Sequence, residues 1–180
     1  MTRVAVIGNA GGGKSTLCRH LSRALKIELF PIDRLQWKPG WVPAPDEEVK
    51  QHHATILAQE RWIIDGWGPH EAIVARFDAA DTIILVGHPL YIHYWLALKR
   101  QVECLFQLRP DGPDGCPMLP MTWPLFKLIW AIHQAARPQL LQLIDTYRAR
   151  KQVFHIRSPR ELRQFIHTYG RAVDRSDESS

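Results

Sequence analysis

Cysteine is scarce in this sequence and widely spaced. The 180 residues contain three cysteines, Cys18, Cys104 and Cys116, and no two of them form a CxxC pair. An odd number of isolated cysteines argues against a disulfide framework and gives no zinc-finger pattern. We therefore expect a protein of a reducing compartment.

Long apolar runs and long runs of one charge are also missing. The most apolar stretch, 82–98, is interrupted by Gly87, His88, Pro89 and His93, which makes it a poor membrane span. The sequence contains no run of five or six Lys or Arg, which a nucleic-acid-binding tail would have. The first residues lead directly into a strand-like run without the pattern of a signal segment. These features predict a cytoplasmic protein with no membrane partner.

The composition is that of an ordinary globular chain, with 46% hydrophobic and 23% charged residues. This length suits one domain with a sizeable core, which we place at 1–169. The segment 170–180 is polar without apolar periodicity, so we expect a disordered tail. The net charge of +5 suits nucleic acid, anionic membrane and phosphate-bearing substrates equally well.

Short apolar segments alternate with helical patterns along the chain. Five segments are rich in β-branched or aromatic residues and have strand length: 3–7, 27–30, 62–65, 82–86 and 153–156. Such alternation is typical of an α/β fold, a parallel sheet with helices on both faces. The segment 100–137 separates the fourth strand from the fifth and is a candidate mobile lid.

Proline positions refine this outline. The run 37–45 is rich in Pro and Trp and predicts an ordered loop. Pro138 interrupts a helical pattern and predicts two helices that separate there. Ser158-Pro-Arg-Glu161 has the pattern of a capping box at the start of the last helix.

One motif carries a specific chemistry. Residues 8–15 read Gly-Asn-Ala-Gly-Gly-Gly-Lys-Ser and match GxxxxGK[ST], between a strand and a helix. Its backbone N–H groups suit phosphate oxygens, Lys14 reaches the β- and γ-phosphates, and Ser15 offers a hydroxyl to Mg²⁺. The motif predicts a nucleoside triphosphate site. Its predicted binding residues are Gly8, Asn9, Ala10, Gly11, Gly12, Gly13, Lys14, Ser15 and Thr16, with Ser15 as the metal ligand.

Two carboxylates follow predicted strands. Asp33 comes after the second strand and Asp65 ends the third. Because ligands bind at the carboxyl ends of parallel strands, both side chains are expected to face the phosphate loop. Phosphoryl transfer needs a group that orients the acceptor or assists the metal, which suits either residue. A turn cap is the alternative role for Asp33.

Arginines are the other requirement, since their guanidinium fork suits phosphate oxygens. Arg76, Arg100, Arg109 and Arg137 lie in or near the predicted acceptor site and lid. Surface solubility is the alternative role for each. The predicted catalytic residues are Lys14, Asp33, Asp65, Arg100 and Arg137. The predicted acceptor-binding residues are Asp33, Asp65, Arg76 and Arg109.

Further motifs resemble one group of proteins. Trp-Lys-Pro-Gly-Trp at 37–41, Ile-Ile-Asp-Gly at 63–66 and Arg-Pro-Asp…Gly-Cys-Pro at 109–117 accompany the phosphate loop. The combination resembles the adenylate-kinase-related P-loop proteins called DNA topology modulation proteins. The resemblance implies a P-loop three-layer sandwich with sheet order 2-3-1-4-5 and a lid after the fourth strand. It also implies ATP and Mg²⁺ as ligands and phosphoryl transfer to a small acceptor.

The sequence departs from this family at Gly87, where an Asp is usual, and at Leu90, where an Arg is usual. We expect an ATP-dependent kinase whose acceptor is a nucleotide or a nucleoside. Two alternatives stay open: a catalytically weak NTP-binding regulatory module and a nucleic-acid-associated ATPase. No nucleic-acid-binding motif supports the last one. The sequence predicts no oligomeric state.

For two further patterns a structural role is the favoured interpretation. The pairs His52/His53 and His88/His93 lack Cys or carboxylate neighbours at ligand spacing, so no metal site is predicted. An aromatic and aliphatic stripe at helical spacing over 123–133 predicts a helix packed on the core or in a dimer. A wall for a base and a membrane-facing patch are its alternatives.

Overall fold

The computed structural model describes residues 1–104, 115–117 and 119–170. Its centre is a five-stranded parallel sheet in the order β2-β5-β1-β6-β7. Counted among themselves, these strands follow the order 2-3-1-4-5, which confirms the predicted α/β class. The strands of the sheet are β1 (Arg3–Gly8), β2 (Leu29–Pro31), β5 (Trp62–Asp65), β6 (Thr82–Val86) and β7 (Gln152–Ile156).

The register of the sheet brings three strand ends together. Val6 of β1 lies opposite Asp65 of β5, and Gly8 lies opposite Val86 of β6. Pro31, the last residue of β2, also lies opposite Asp65. The first loop and the ends of β2 and β5 therefore meet at one edge of the sheet, as parallel strands require.

Helices cover both faces of the sheet. The described helices are α1 (Lys14–Leu25), α2 (Ile32–Gln36), α3 (Asp46–Leu57), α4 (His70–Ala79), α5 (Leu90–Glu103), α6 (Thr122–Ala131), α7 (Arg137–Tyr147) and α8 (Pro159–Gly170). On one face, α1 and α8 pack against alternate strand residues such as Val4 and Val6. On the other face, α3, α4 and α7 pack against Ala5 and Ile7. The result is the predicted three-layer arrangement.

The Trp- and Pro-rich run departs from its prediction as a loop. It forms a short antiparallel hairpin of β3 (Trp37–Lys38) and β4 (Val42–Pro43). Gly40 and Trp41 take left-handed backbone angles, with φ of 77° and 62°, in the connecting turn. Strands of two residues are too short to show an alternating pattern, so the sequence could not reveal them.

Pro138 does not separate two helices as predicted. The helical backbone continues from α6 through a π-helical segment, Ile132–Ala136, into α7. A proline cannot donate the helical hydrogen bond and its ring crowds the preceding turn. The wider π turn just before Pro138 accommodates both effects, so the helix is distorted rather than ended.

The predicted capping box is confirmed at the start of α8. The Glu161 N–H donates to Ser158 Oγ at 3.2 Å. Glu161 Oε2 accepts from the Arg157 N–H at 2.8 Å. This reciprocal arrangement satisfies backbone donors that a helix start otherwise leaves without partners.

Several predictions concern residues outside the described ranges. Arg109 lies outside them, as do the rest of 105–114, residue 118 and the expected tail beyond Gly170. The predicted lid segment 100–137 is described only in part. Within the described ranges, no helix is both long and apolar enough to cross a membrane.

Candidate active site

The glycine-rich loop connects β1 to α1. Gly8 has φ of 149°, and an added Cβ would collide with the backbone carbonyl of Val86. Gly11 has φ of 72°, and an added Cβ would lie 2.6 Å from the carbonyl oxygen of His93. Glycine is required at both positions because the loop bends tightly and lies directly against β6 and α5.

Two buried histidines hold this loop from below. His88 Nε2 lies 3.0 Å from the Gly12 carbonyl oxygen, and His93 Nδ1 lies 2.9 Å from the Ala10 carbonyl oxygen. Because carbonyls accept, each ring nitrogen is the donor. In a trans peptide the C=O and the following N–H point in opposite directions. The N–H groups of Gly11 and Gly13 therefore point away from the histidines.

The same histidines are held in their neutral form. Burial lowers the pKa of His93 to about 4, although its hydrogen bond to Ala10 opposes the shift. Burial also lowers the pKa of His88. Both rings are therefore neutral at pH 7 and use one N–H each for the loop. From the sequence these histidines had only a structural interpretation, and their contact with the loop is visible only in the fold.

Asn9 connects the loop to α6. Its side-chain Nδ2 donates to the Ile129 carbonyl at 2.8 Å, and its Oδ1 accepts from the Ala10 N–H at 2.8 Å. Only 6% of Asn9 is exposed. Its backbone carbonyl accepts from Lys14 Nζ at 2.8 Å. Asn9 was predicted to bind the nucleotide, but its side chain does not line the cavity. Its contacts hold the loop in place instead.

Lys14 interacts electrostatically with both predicted carboxylates, Asp65 and Asp33. Burial lowers the pKa of its ammonium, while the negative charges of Asp65 and Asp33 oppose that shift. Ser15 Oγ donates to Asp65 Oδ2 at 2.8 Å. Asp33 lies in the first turn of α2, directly after β2. The register of the sheet thus brings these residues together, as the sequence analysis predicted.

These groups surround a cavity of about 530 Å³. That volume is within the usual range for a small-molecule site. Eleven of the predicted residues line it: Gly8, Ala10, Gly11, Gly12, Gly13, Lys14, Ser15, Thr16, Asp33, Asp65 and Arg100. Two cations that the sequence analysis did not name, Arg19 and Lys99, line it as well.

Three tryptophans form an aromatic part of the same cavity. Trp37 and Trp41 come from the hairpin, and Trp67 follows the Asp65-Gly66 turn. The rings of Trp37 and Trp41 meet edge to face, with centroids 5.7 Å apart. Their motif was visible in the sequence, but only the folded hairpin shows that they share a cavity with Lys14.

A described part of the predicted lid segment binds the hairpin. The Gly40 N–H donates to the Gly115 carbonyl at 2.9 Å. The Trp41 indole N–H donates to the Pro117 carbonyl at 2.8 Å, and its backbone N–H contacts Cys116 Sγ at 3.4 Å. The segment therefore packs beside the aromatic wall of the cavity.

Arg76 was predicted to bind the acceptor but does not line the cavity. It is 1% exposed and its Nη1 donates to the Gly66 carbonyl at 2.8 Å. Burial lowers the pKa of Arg76 to about 10, against the opposing effect of Asp65. In this arrangement Arg76 acts on the site through the Gly66 turn.

Arg137 was predicted to be catalytic and also does not line the cavity. It lies near His155, where burial, then the charges of Arg157 and Arg137, lower the pKa of the imidazole. His155 is the neighbour of Gly87: a Cβ at Gly87 would lie 2.8 Å from His155 Nε2. The space that an acidic side chain at position 87 would fill, as in the resembled family, is thus taken here by His155 of β7.

Comparisons with known proteins identify the fold. A shikimate kinase from Acinetobacter baumannii, solved with shikimate, is similar over 100% of this chain and 96% of its own, with a TM-score of 0.52 and 13% identity. A gluconokinase from Sinorhizobium meliloti 1021 is similar over 99% and 97%, with a TM-score of 0.50 and 10% identity. No family model and no curated protein matches the chain. The chain therefore shares the fold of these two kinases, and the resemblance to DNA topology modulation proteins stays a prediction.

Proposed function

We propose that this protein is an ATP-dependent phosphotransferase whose small acceptor is a nucleotide or a nucleoside. One observation carries the proposal: Lys14 of the phosphate loop and two strand-end carboxylates, Asp33 and Asp65, line one cavity. A protein that only binds nucleotide needs no further carboxylate beside the phosphates to orient an acceptor. The fold shared with solved small-molecule kinases supports the same reaction class.

The loop supplies the phosphate side of the site. The N–H groups of Gly11 and Gly13 point away from the histidines, and α1 presents its positive dipole end. Lys14 adds a positive charge that two carboxylates keep near the cavity. These fixed donors suit the triphosphate of ATP, because they need little rearrangement as negative charge shifts during transfer.

The donor atoms also fit Mg²⁺. Ser15 Oγ and the Asp65 carboxylate lie in contact and are the hard oxygen ligands that Mg²⁺ prefers. Within the described residues, no cluster of three or more His, Cys, Asp or Glu could hold a metal alone. We therefore assign Ser15 and Asp65 to a cation that the nucleotide phosphates complete. Bound there, Mg²⁺ would neutralise charge on the phosphates.

The chemical step follows from the remaining groups. An acceptor oxygen, either a nucleoside hydroxyl or a phosphate oxygen of a nucleoside monophosphate, forms a bond to the γ-phosphorus, and the bond from that phosphorus to the bridging oxygen of ADP breaks. A hydroxyl proton passes to the Asp33 carboxylate, which lines the cavity from the first turn of α2. Lys14 and Arg100 stabilise the charge on the transferring group. The segment packed on the hairpin helps to exclude water.

The aromatic wall supports the acceptor class. Trp37, Trp41 and Trp67 offer flat apolar surfaces that stack well on a nucleobase. Arg19 and Lys99 place positive charge at the same cavity, which suits a phosphate on the acceptor. A nucleoside monophosphate combines both features and a nucleoside has the base alone, whereas a small hydroxy acid leaves the aromatic wall uncovered.

The decisive experiment measures ADP release from Mg-ATP across nucleoside monophosphates, nucleosides and small hydroxy acids, with DNA as a further sample. We expect release that depends on a nucleoside-type acceptor and falls at least about 1,000-fold in Lys14→Ala, since the lysine stabilises the transferring phosphoryl group. Lys50→Ala, an exposed residue on α3, is the matched control and should keep full turnover.

Other outcomes would redirect the proposal. Release that requires shikimate- or gluconate-like acids would refute the nucleoside class but retain the kinase. Tight ATP binding without acceptor-dependent release would favour a regulatory NTP-binding module. Release stimulated by DNA alone would favour a nucleic-acid-associated ATPase, and strong salt dependence would accompany it.

A further inference from the structure

An exposed apolar row runs along α5, apart from the cavity. Tyr91, Trp95, Leu98 and Val102 are 71%, 66%, 47% and 50% exposed. Their spacing of three or four residues places them on one face of the helix. An amphipathic helix normally turns such a row toward the core, but the buried face of α5 is formed by other residues, among them His93 and Ala97.

The neighbouring helix α6 continues this apolar surface. Tyr94 of α5 and Phe126 of α6 meet with ring centroids 5.4 Å apart. Tyr91 and Leu98 lie one turn before and after Tyr94. The residues one turn before and after Phe126 are Trp123 and Trp130, which are 67% and 51% exposed. The two rows therefore flank one seam. The aromatic face comprises Tyr91, Trp95, Leu98, Val102, Trp123 and Trp130.

The charges around this face have mainly one sign. The sequence from 115 to 144 contains no Asp or Glu. Lys127 lies over the Trp123 ring, with its Nζ 5.8 Å from the centroid. On α5, Lys99 and Glu103 form an ion pair, with Nζ 3.9 Å from the carboxylate, and their charges offset each other. The net charge beside the aromatic face therefore comes from Lys127 and is positive.

We propose that the aromatic face binds the surface of an anionic lipid bilayer. Trp and Tyr side chains suit the boundary between headgroups and acyl chains, where one end of the ring is wet and the other apolar. Lysine stems extend over apolar surface while their ammonium groups reach anionic headgroups. A second copy of the chain would bring the Lys127 side chains of two identical faces together with no acidic residue of 115–144 to offset them.

This mode of binding is peripheral. It requires no membrane-spanning helix, and the described residues contain none. The sequence predicts no membrane partner, and a membrane-facing patch is only an alternative interpretation of 123–133. The structure adds the α5 row and its alignment with α6, which the sequence of either helix alone does not show. The proposal is independent of the phosphoryl-transfer reaction.

The test is sedimentation of the purified protein with vesicles. One set contains equal parts of phosphatidylglycerol and phosphatidylcholine, and the other contains phosphatidylcholine alone. We expect binding to the anionic set that weakens as salt increases. Trp95→Glu combined with Trp123→Glu should lower the partition coefficient at least about 100-fold, because two apolar anchors become anions. Lys127→Gln should lower it about fivefold.

Matched controls separate this surface from general effects. Val42→Glu changes an exposed apolar residue of the hairpin, and Lys50→Gln changes an exposed lysine of α3. Both should bind anionic vesicles like the parent. Circular dichroism and urea unfolding must show that the double tryptophan variant is folded. If that variant is unfolded, Trp95→Gln serves as the milder replacement, with an expected decrease of at least about tenfold.

Three results would overturn the proposal. The first is an absence of binding to either vesicle set, and the second is equal binding to both sets. The third is a lipid-free dimer, measured by light scattering, that dissociates in the Trp95→Glu/Trp123→Glu variant. That result would assign the aromatic face to a second copy of the chain.

Discussion

His93 provides the sharpest prediction about the phosphate loop. The residue is 1% exposed, donates to the Ala10 carbonyl at 2.9 Å and has a pKa lowered to about 4 by burial. Electrostatic interactions with His88, Lys14 and His133 lower this pKa further. In the unfolded chain the imidazole returns to its ordinary value near 6.5. The unfolded state therefore binds the proton first as the pH falls.

The sign and size of the effect follow from this difference. Stability that comes from neutral His93 is fully present above about pH 6.5 and is lost as the pH falls toward about 4. A difference of about 2.5 pKa units corresponds to about 3 kcal/mol. His93→Asn keeps an N–H donor near the Nδ1 position but cannot titrate. As the pH falls from 7 to 4, the parent should lose about 3 kcal/mol of unfolding free energy that His93→Asn does not lose.

Urea unfolding at several pH values, followed by circular dichroism, measures this difference directly. The exposed His52→Asn is the control and should follow the parent curve. Parallel curves for the parent and His93→Asn would refute the reasoning, since they would show that His93 titrates alike in both states. His93→Phe keeps the ring but loses the donor, and should cost about 1–3 kcal/mol at pH 7 because the Ala10 carbonyl is left without it.

Three further substitutions test the neighbourhood of the cavity. Arg76→Met removes the donor to the Gly66 carbonyl; it should raise the acceptor KM several-fold in steady-state kinetics. Its unfolding free energy should change by less than about 1 kcal/mol, because losing a buried charge offsets the lost bond, and an unchanged KM would contradict the positioning role. Gly87→Asp should destabilise by about 1–3 kcal/mol through its contact with His155; thermal unfolding of Gly87→Asp with His155→Ala should recover most of that loss, and additive losses would contradict the contact. Trp41→Phe removes the indole donor to the lid segment, so ATP hydrolysis without acceptor should increase severalfold as water enters; an unchanged rate of ADP release would show that this bond does not limit access.

Local rules were sufficient for the phosphate loop and for the strands of the sheet, whereas the strand order was implied by the family resemblance. A β-branched strand, a glycine-rich turn and a helix start at Lys14 are consecutive in the chain, so their chemistry can be read directly. The strand-end positions of Asp33 and Asp65 were also predictable, because parallel strands place their carboxyl ends at one edge. The capping box at Ser158 is a four-residue pattern and was predicted for the same reason.

Other features depend on contacts between distant residues. The hairpin at Trp37 is too short for a pattern, and its tryptophans acquire a role only by sharing a cavity with Trp67. Arg76 was read as an acceptor-binding cation because sequence shows charge but not burial; the fold encloses it beneath Gly66. Pro138 was read as a helix end, whereas a π turn accommodates it within a continuous helical run.

The sequence by itself determined that a glycine-rich loop with the GxxxxGK[ST] pattern lies between the first strand and the first helix of an α/β chain. It determined this because the glycines, Lys14 and Ser15 are neighbours in the chain. Only the tertiary structure decided that His88 and His93 support this loop from below, and that α5 and α6 together form an aromatic face. Those arrangements join residues separated by up to 83 positions in hydrogen bonds, and packing of distant segments, not local propensity, brings them together.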